Sequence, residues 1–266
     1  MFLTRKSLKK IRLLTGAYYI LGVFCFLMSG VFALLGEISW FLVAFGIVCL
    51  LLGVIFRAVG RYAEGKGILL NSGNKLVLQQ LRPAEFIRLY EEKRDSSENV
   101  IAKPDFDVLR LVATAYDALG DTEHELETLD EMLSIASEKK KSSAVLLKAA
   151  VLFSIGKIEE DDRVLSQVQN TKMDLVTKMM SDMILKSDRA MAIGDYATAE
   201  IYFKQMLAKT FPKNTSLSLL YDHFGLAKIY KRTERFDEAK FHCNYCVENG
   251  GETSIQAEAV NMLNDL

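Results

Sequence analysis

Between residues 13 and 56 the chain has a single acidic or basic side chain, Glu37. A stretch so poor in charge excludes a water-facing domain there. Split at Gly36-Glu37-Ile38-Ser39, it leaves an apolar run from Leu13 to Leu35 and a second from Ile38 to Phe56. Each is long enough, as a helix, to cross a hydrocarbon layer of roughly 30 Å. Inside lipid a helix satisfies its own backbone groups, so the stretch reads as a transmembrane helical hairpin. The flanks lack acid where the turn lacks base. Arg5, Lys6, Lys9, Lys10 and Arg12 precede the first run with no acidic residue, Arg57, Arg61 and Lys66 follow the second against Glu64, and the connection carries no Lys or Arg. Excess Lys and Arg stay on the cytoplasmic side. The expectation is a multi-pass protein of the cell membrane with both termini cytoplasmic. The competing reading is a cleaved leader with Val31-Phe32-Ala33 as its site, but the first run exceeds a usual leader core and cleavage would strand the second helix.

Disulfide frameworks are excluded by a count of four cysteines, two of them inside the apolar segment. That agrees with a reducing compartment. Also missing are a phosphate-binding glycine loop, a dinucleotide fingerprint, a His-Glu-x-x-His zinc motif and a Ser-His-Asp arrangement, and no stretch alternates in the manner of a β-strand. A non-enzymatic, all-α protein without cofactor or metal is therefore expected. Net charge is −1, but it is unevenly held: residues 1–66 carry 8 basic and 2 acidic side chains, residues 67–266 carry 25 and 32. A soluble part at −7 is a poor match for nucleic acid.

Four parts follow: a basic N-terminus (1–12), the hairpin (13–56), a helical linker region (57–104) and a repeat region (105–266). In the linker, helical segments broken near Gly65–Gly73 are expected, with a small β-hairpin around Asn71–Asn74 as the alternative; Pro83 suits a helix start, and 95–104 reads as a polar connector. Beyond Asp105 short helices come in pairs. Leu109, Val112, Tyr116 and Leu119 make one face, Gly120-Asp121 turns the chain, and Leu126, Leu129 and Leu133 make the next. Turns recur at 120, 156, 194 and 234, a fixed period of helix pairs that predicts a stacked α-solenoid. Residues 252–265 are expected as a terminal capping helix.

The units resemble tetratricopeptide repeats. Gly194-Asp195-Tyr196 with Ala199, Phe203 and Met206, closed by Pro212, carries the resemblance best. Leu226-Ala227, Tyr230, Phe236, Ala239, Cys243 and Cys246 carry it next. Ala113, Tyr116 and Gly120 keep it in the first unit, which departs from the family by placing Glu125 where a small residue belongs. The 142–170 unit keeps Ala149, Leu152 and Gly156. The resemblance implies small residues at close helix crossings, large ones such as Tyr196, Tyr230 and Phe236 between layers, and a concave groove lined by the first helix of each pair. By position that lining includes Asp107, Arg110, Thr114 and Asp117, then Ser181, Ile184, Asp188 and Met191, then Tyr221, Phe224, Lys228, Lys231 and Arg232.

A membrane-anchored scaffold that recruits a protein or peptide partner is the function expected. Lys228, Lys231 and Arg232 with Tyr221 and Phe224 suggest an acidic segment, alongside the plainer reading of solvated residues neutralised by nearby acids. The alternative function is an accessory subunit of a transporter, secretion or cell-envelope assembly held through its membrane helices. Gly46, Gly53 and Gly60 form a stripe suited to close helix packing, against the first helix or against another copy or membrane protein. The hairpin and the lack of eukaryotic sorting signals lean towards a bacterial protein. Cys243 and Cys246 read as core residues, with half a zinc site or a redox pair as the alternatives. His124 reads as part of a solvated helix face, the acidic run 159–162 as the first turn of a helix, the lysines at 139–141 as a loop after a helix end, and the methionines between 173 and 206 as core filling or as an adaptable binding surface.

Overall fold

A computed structural model describes residues 5–34, 40–95, 105–157, 175–209 and 214–266. Among these the chain is all-helical, with eleven helices and no strand. They are α1 (Arg5–Leu34), α2 (Trp40–Leu76), α3 (Pro83–Asp95), α4 (Phe106–Leu119), α5 (Thr122–Ile135), α6 (Glu138–Ser154), α7 (Leu175–Ala192), α8 (Tyr196–Ala208), α9 (Ser216–Arg232), α10 (Phe236–Asn249) and α11 (Ser254–Asn264). The described residues form two compact units, 5–69 with 93–95 and 70–92 with 105–266. The expected turn at Glu37, the connector after residue 95, the acidic run 159–162, Pro212 and part of the 142–170 unit lie outside the described residues.

In the first unit, Lys10–Ala33 and α2 are both long and apolar enough to cross a membrane. Their apolar side chains mostly face outward: Ile20 is 73 % exposed, Leu27 66 % and Phe41 76 %. A water-soluble pair would turn these inward. What the two helices bury against each other is small. Gly22, Cys25, Ser29, Gly46, Cys49 and Gly53 are all buried. A methyl on Gly46 would stand 3.3 Å from Cys25 Cβ and from the Gly22 carbonyl, one on Gly53 3.4 Å from the Tyr19 ring, and one on Gly60 3.1 Å from Ile11. The glycine stripe thus faces α1 of the same chain and is filled without a second copy. At one end of the seam Arg12 donates to both carboxylate oxygens of Glu64, at 2.7 and 2.8 Å.

The break expected near Gly65–Gly73 is absent, and so is the alternative β-hairpin: α2 runs unbroken through Gly65, Gly67 and Gly73. Glycine costs a helix interior about 1 kcal/mol, but burial outweighs it here. Leu70 and Val77 are buried, and a Cβ on Gly73 would lie 2.7 Å from Leu111 and 3.0 Å from the Phe86 ring. Close packing therefore requires glycine at 73. Residues 70–92 group with the helices from Phe106 onwards rather than with a separate linker.

In the second unit the pairs are set by their turns. Gly120, Gly156 and Gly194 hold φ of 73°, 78° and 77°, the left-handed conformation that ends a helix, and at the fourth turn a non-glycine, Glu234, holds φ 59°. Asp105, Asp121 and Asp195 each cap the following helix by accepting from its first-turn amides, and Thr215 forms a capping box with Ser218. One core joins Ala190, Ala199, Phe203, Met206, Leu226, Ile229, Tyr230 and Ala239, with Met183 and Met191 packed against it. Gly225 lets the Phe203 ring approach to 2.4 Å from where a Cβ would stand.

Two expectations change. Phe236 is 46 % exposed rather than wedged between layers. The buried face of α5 is Glu125, Thr128, Leu129 and Met132, offset from Leu126 and Leu133. From α4 onwards successive helices pack on one another, and α11 also contacts α4. The helix expected at 252–265 is present as α11, packed on α4 as well as on α9 and α10. Tyr221 in α9 reaches Asp117 in α4 at 2.6 Å, a link that an open stack with neighbour-only contacts would not make.

Candidate functional site

Closure of α4 onto α9 and α11 brings together side chains far apart in sequence. Asp117 accepts from the Tyr221 hydroxyl at 2.6 Å. Asp117 is exposed, but neighbouring protein desolvates its carboxyl enough to raise it, and the Tyr221 bond only partly offsets this. Burial, with Asp117 next, pushes the Tyr221 phenol well above its usual range. Glu125 is 8 % exposed; burial, then the charge of Asp117, pushes it up to about 9. Among the described residues nothing hydrogen-bonds its carboxyl. Asp188 of α7 is half-buried and raised to about 6, first by burial and then by Asp117, with Lys228 pulling the other way.

Lys228 lies 4.2 Å over the Phe224 ring and 3.8 Å from Glu258 of α11. Lys231 reaches Asp265 at 3.1 Å. Phe224 itself is buried at 5 % exposure. Arg110 and Arg232 are exposed. The cationic and aromatic face expected on α9 is thus largely occupied: its aromatic is core, and two of its three cations have carboxylate partners within the chain. The wall that Asp117, Glu125, Asp188, Glu258 and Lys228 share is acidic. Sequence reasoning had Asp117, Asp188, Lys228 and Tyr221 and missed Glu125 and Glu258. Glu125 did carry a signal, a carboxylate standing where the repeat pattern places a small buried residue.

Elsewhere, Cys243 and Cys246 are fully buried free thiols. Burial raises both, Cys246 to about 12, and Cys246 points its sulfur at the Leu220 carbonyl, 3.8 Å away. Thiolate chemistry at neutral pH is disfavoured there. No group of three or more metal-binding side chains occurs among the described residues. Next to the thiols, His223 and His242 bring their Nδ1 atoms to 2.9 Å, and His223 stacks on Tyr245 at 3.7 Å. Burial lowers both imidazoles, His242 to about 4. His124, expected to be merely solvated, contacts Asp121 at 2.8 Å and stacks on Tyr116. Lys140 pairs with Asp107 at 2.7 Å and lies over Phe106, so that residue ties α6 to α4.

No protein-family model, no curated protein and no solved structure matches this chain.

Proposed function

We propose that the chain is a non-enzymatic, membrane-anchored scaffold. Its two apolar helices span the cell membrane with both termini in the cytoplasm, and its tetratricopeptide-like helix pairs form an α-solenoid that recruits a protein partner. The observation that carries this reading is the acidic cluster in which Asp117 bears on both Glu125 and Asp188, with Lys228 as the cation that acts on Asp188. Buried carboxyls raised this far gain most from a positive charge brought close to them. The pairing of Lys228 and Lys231 with Glu258 and Asp265 speaks against the acidic partner suggested by the α9 lysines alone. The partner segment we propose is therefore basic, with Arg or Lys side chains reaching the Asp117 and Asp188 carboxylates and Tyr221 giving them a flat, rigid contact.

Exposed apolar side chains on α1 and α2 support the membrane anchor, and the basic residues at 5–12 and 57–66 support the orientation. The test is to divide the chain between residues 69 and 70 and to follow partner retention from native membranes. Retention by 70–266, lost on Asp117→Asn with Asp188→Asn, supports recruitment by the wall. Retention by 1–69 alone supports instead the accessory subunit held by its membrane helices.

A further inference from the structure

A cavity of about 460 Å³ opens between α1 and α2, where the apolar surface gives way to arginines. Its walls are Ile11, Gly16, Tyr19, Phe56 and Gly60 on the apolar side and Arg12, Arg57 and Arg61 with Glu64 on the polar side. Glu64 is committed: it holds Arg12 through two hydrogen bonds of 2.7 and 2.8 Å. Arg57 and Arg61 make no hydrogen bond or ion pair among the described residues. They stand four apart on one helix, so their side chains share a face and open on the same cavity. Gly16 has no atom within 4 Å of where a Cβ would stand, which keeps the mouth wide on the α1 side. On the side away from the arginines the lining is apolar, with Tyr19 and Phe56 standing towards the hydrophobic spans of α1 and α2.

This arrangement has three parts: two unpaired guanidinia, a space for a small polar group, and an outward apolar track leading away from it. Guanidinium binds phosphate through paired N–H donors, and basic pockets between membrane helices on the cytoplasmic side hold anionic headgroups. We infer that the cavity binds the phosphate of an anionic glycerophospholipid, held by Arg57 and Arg61, with the acyl chains leaving past Tyr19 and Phe56 along the apolar surface of the two helices. The bound lipid would fix how deep the hairpin sits. The inference rests on the membrane reading of α1 and α2.

The experiment uses the full chain, purified in neutral detergent, and counts lipids bound by native mass spectrometry. Phosphatidylglycerol and phosphatidylcholine are offered in competition, with glycerol phosphate and inorganic phosphate as soluble probes in separate arms. Two arginines near a headgroup predict a preference for phosphatidylglycerol on the order of 10–30-fold. Arg57→Gln with Arg61→Gln should abolish it, whereas Arg88→Gln with Arg232→Gln, an equal charge change outside the cavity, should leave it. Gly16→Leu fills the cavity with every arginine kept and should also abolish it; helical content by circular dichroism guards each variant against misfolding. Equal binding of both lipids overturns the inference, as does an arginine pair whose loss changes nothing. Equal occupancy by glycerol phosphate would assign the site to soluble anions and overturn the lipid. Extraction of the chain from membranes by alkaline carbonate would instead overturn the membrane reading itself, a result separable from lack of lipid preference in a chain that stays inserted.

Discussion

Replacing Glu125 with glutamine should stabilise the protein, and by more as the pH rises. In the folded chain this carboxyl is 8 % exposed and titrates at about 9 instead of 4.5. A raised folded value means that the folded state holds a proton which the unfolded state has released. Stability is then fully present below about pH 4.5 and is lost as pH climbs towards 9. At 1.36 kcal/mol per pH unit, the loss at pH 7 is on the order of 3 kcal/mol, a large share of a typical folding free energy. Glutamine keeps the shape and cannot ionise. Full-length parent and Glu125→Gln would be melted in detergent from pH 5 to 9, followed by circular dichroism at 222 nm. The two should coincide near pH 5 and diverge steadily above it, the parent falling away. Asp188 and Asp222, raised to about 6 and about 7 with burial as the main cause, tilt both curves, whereas Asp117 titrates together with Glu125, so the difference reports the Glu125–Asp117 pair. Parallel curves from pH 5 to 9 would show that the carboxyl is ionised in the fold and would refute the acidic, desolvated wall.

Other outcomes follow from single observations. Glu234→Gly should raise the unfolding free energy by about 0.5–1 kcal/mol, because Glu234 sits at φ 59° in a turn whose three counterparts are glycine; chemical denaturation measures it. The lowered imidazoles of His223 and His242 work in the opposite direction to Glu125. The unfolded state takes up protons first, so stability drops as pH falls from about 6.5 towards 4, and His242→Phe should recover roughly 1–3 kcal/mol of it at pH 4.5. Gly73→Ala should cost about 1–3 kcal/mol, since its new methyl meets Leu111 at 2.7 Å; a lower denaturation midpoint at unchanged helical content is the readout.

Much of the fold was legible where the physics is local. Two apolar runs mark α1 and α2, and the turns at 120, 156, 194 and 234 fall on four of the six positive-φ residues among those described. Legibility failed where distant residues decide. Gly65, Gly67 and Gly73 read as helix breakers because propensity is a local quantity, while the packing of Leu111 and Phe86 on Gly73 is not. The α5 face was assigned from Leu126, Leu129 and Leu133; the structure buries Leu129 but turns the rest of the face towards Glu125 and Met132, since a tertiary contact outweighs a one-residue shift in pattern. Lys228 and Lys231 stood out as cations, but their partners Glu258 and Asp265 lie 30 and 34 residues away in α11 or just beyond it. No spacing rule connects α11 to α4, so the acidic wall emerged only with the closure of the helices.

The most direct measurement of the central claim is quantitative co-purification of the intact chain from native membranes in three forms: parent, Asp117→Asn with Asp188→Asn, and Gly46→Leu, which opens the α1–α2 seam. If the wall recruits, the Asp variant stays in the membrane fraction and loses the partner about tenfold or more, and the partner that it loses carries a basic segment protected by the parent from proteolysis. A partner kept in full by the Asp variant but lost with Gly46→Leu would contradict recruitment by the repeats and place the interaction in the membrane helices.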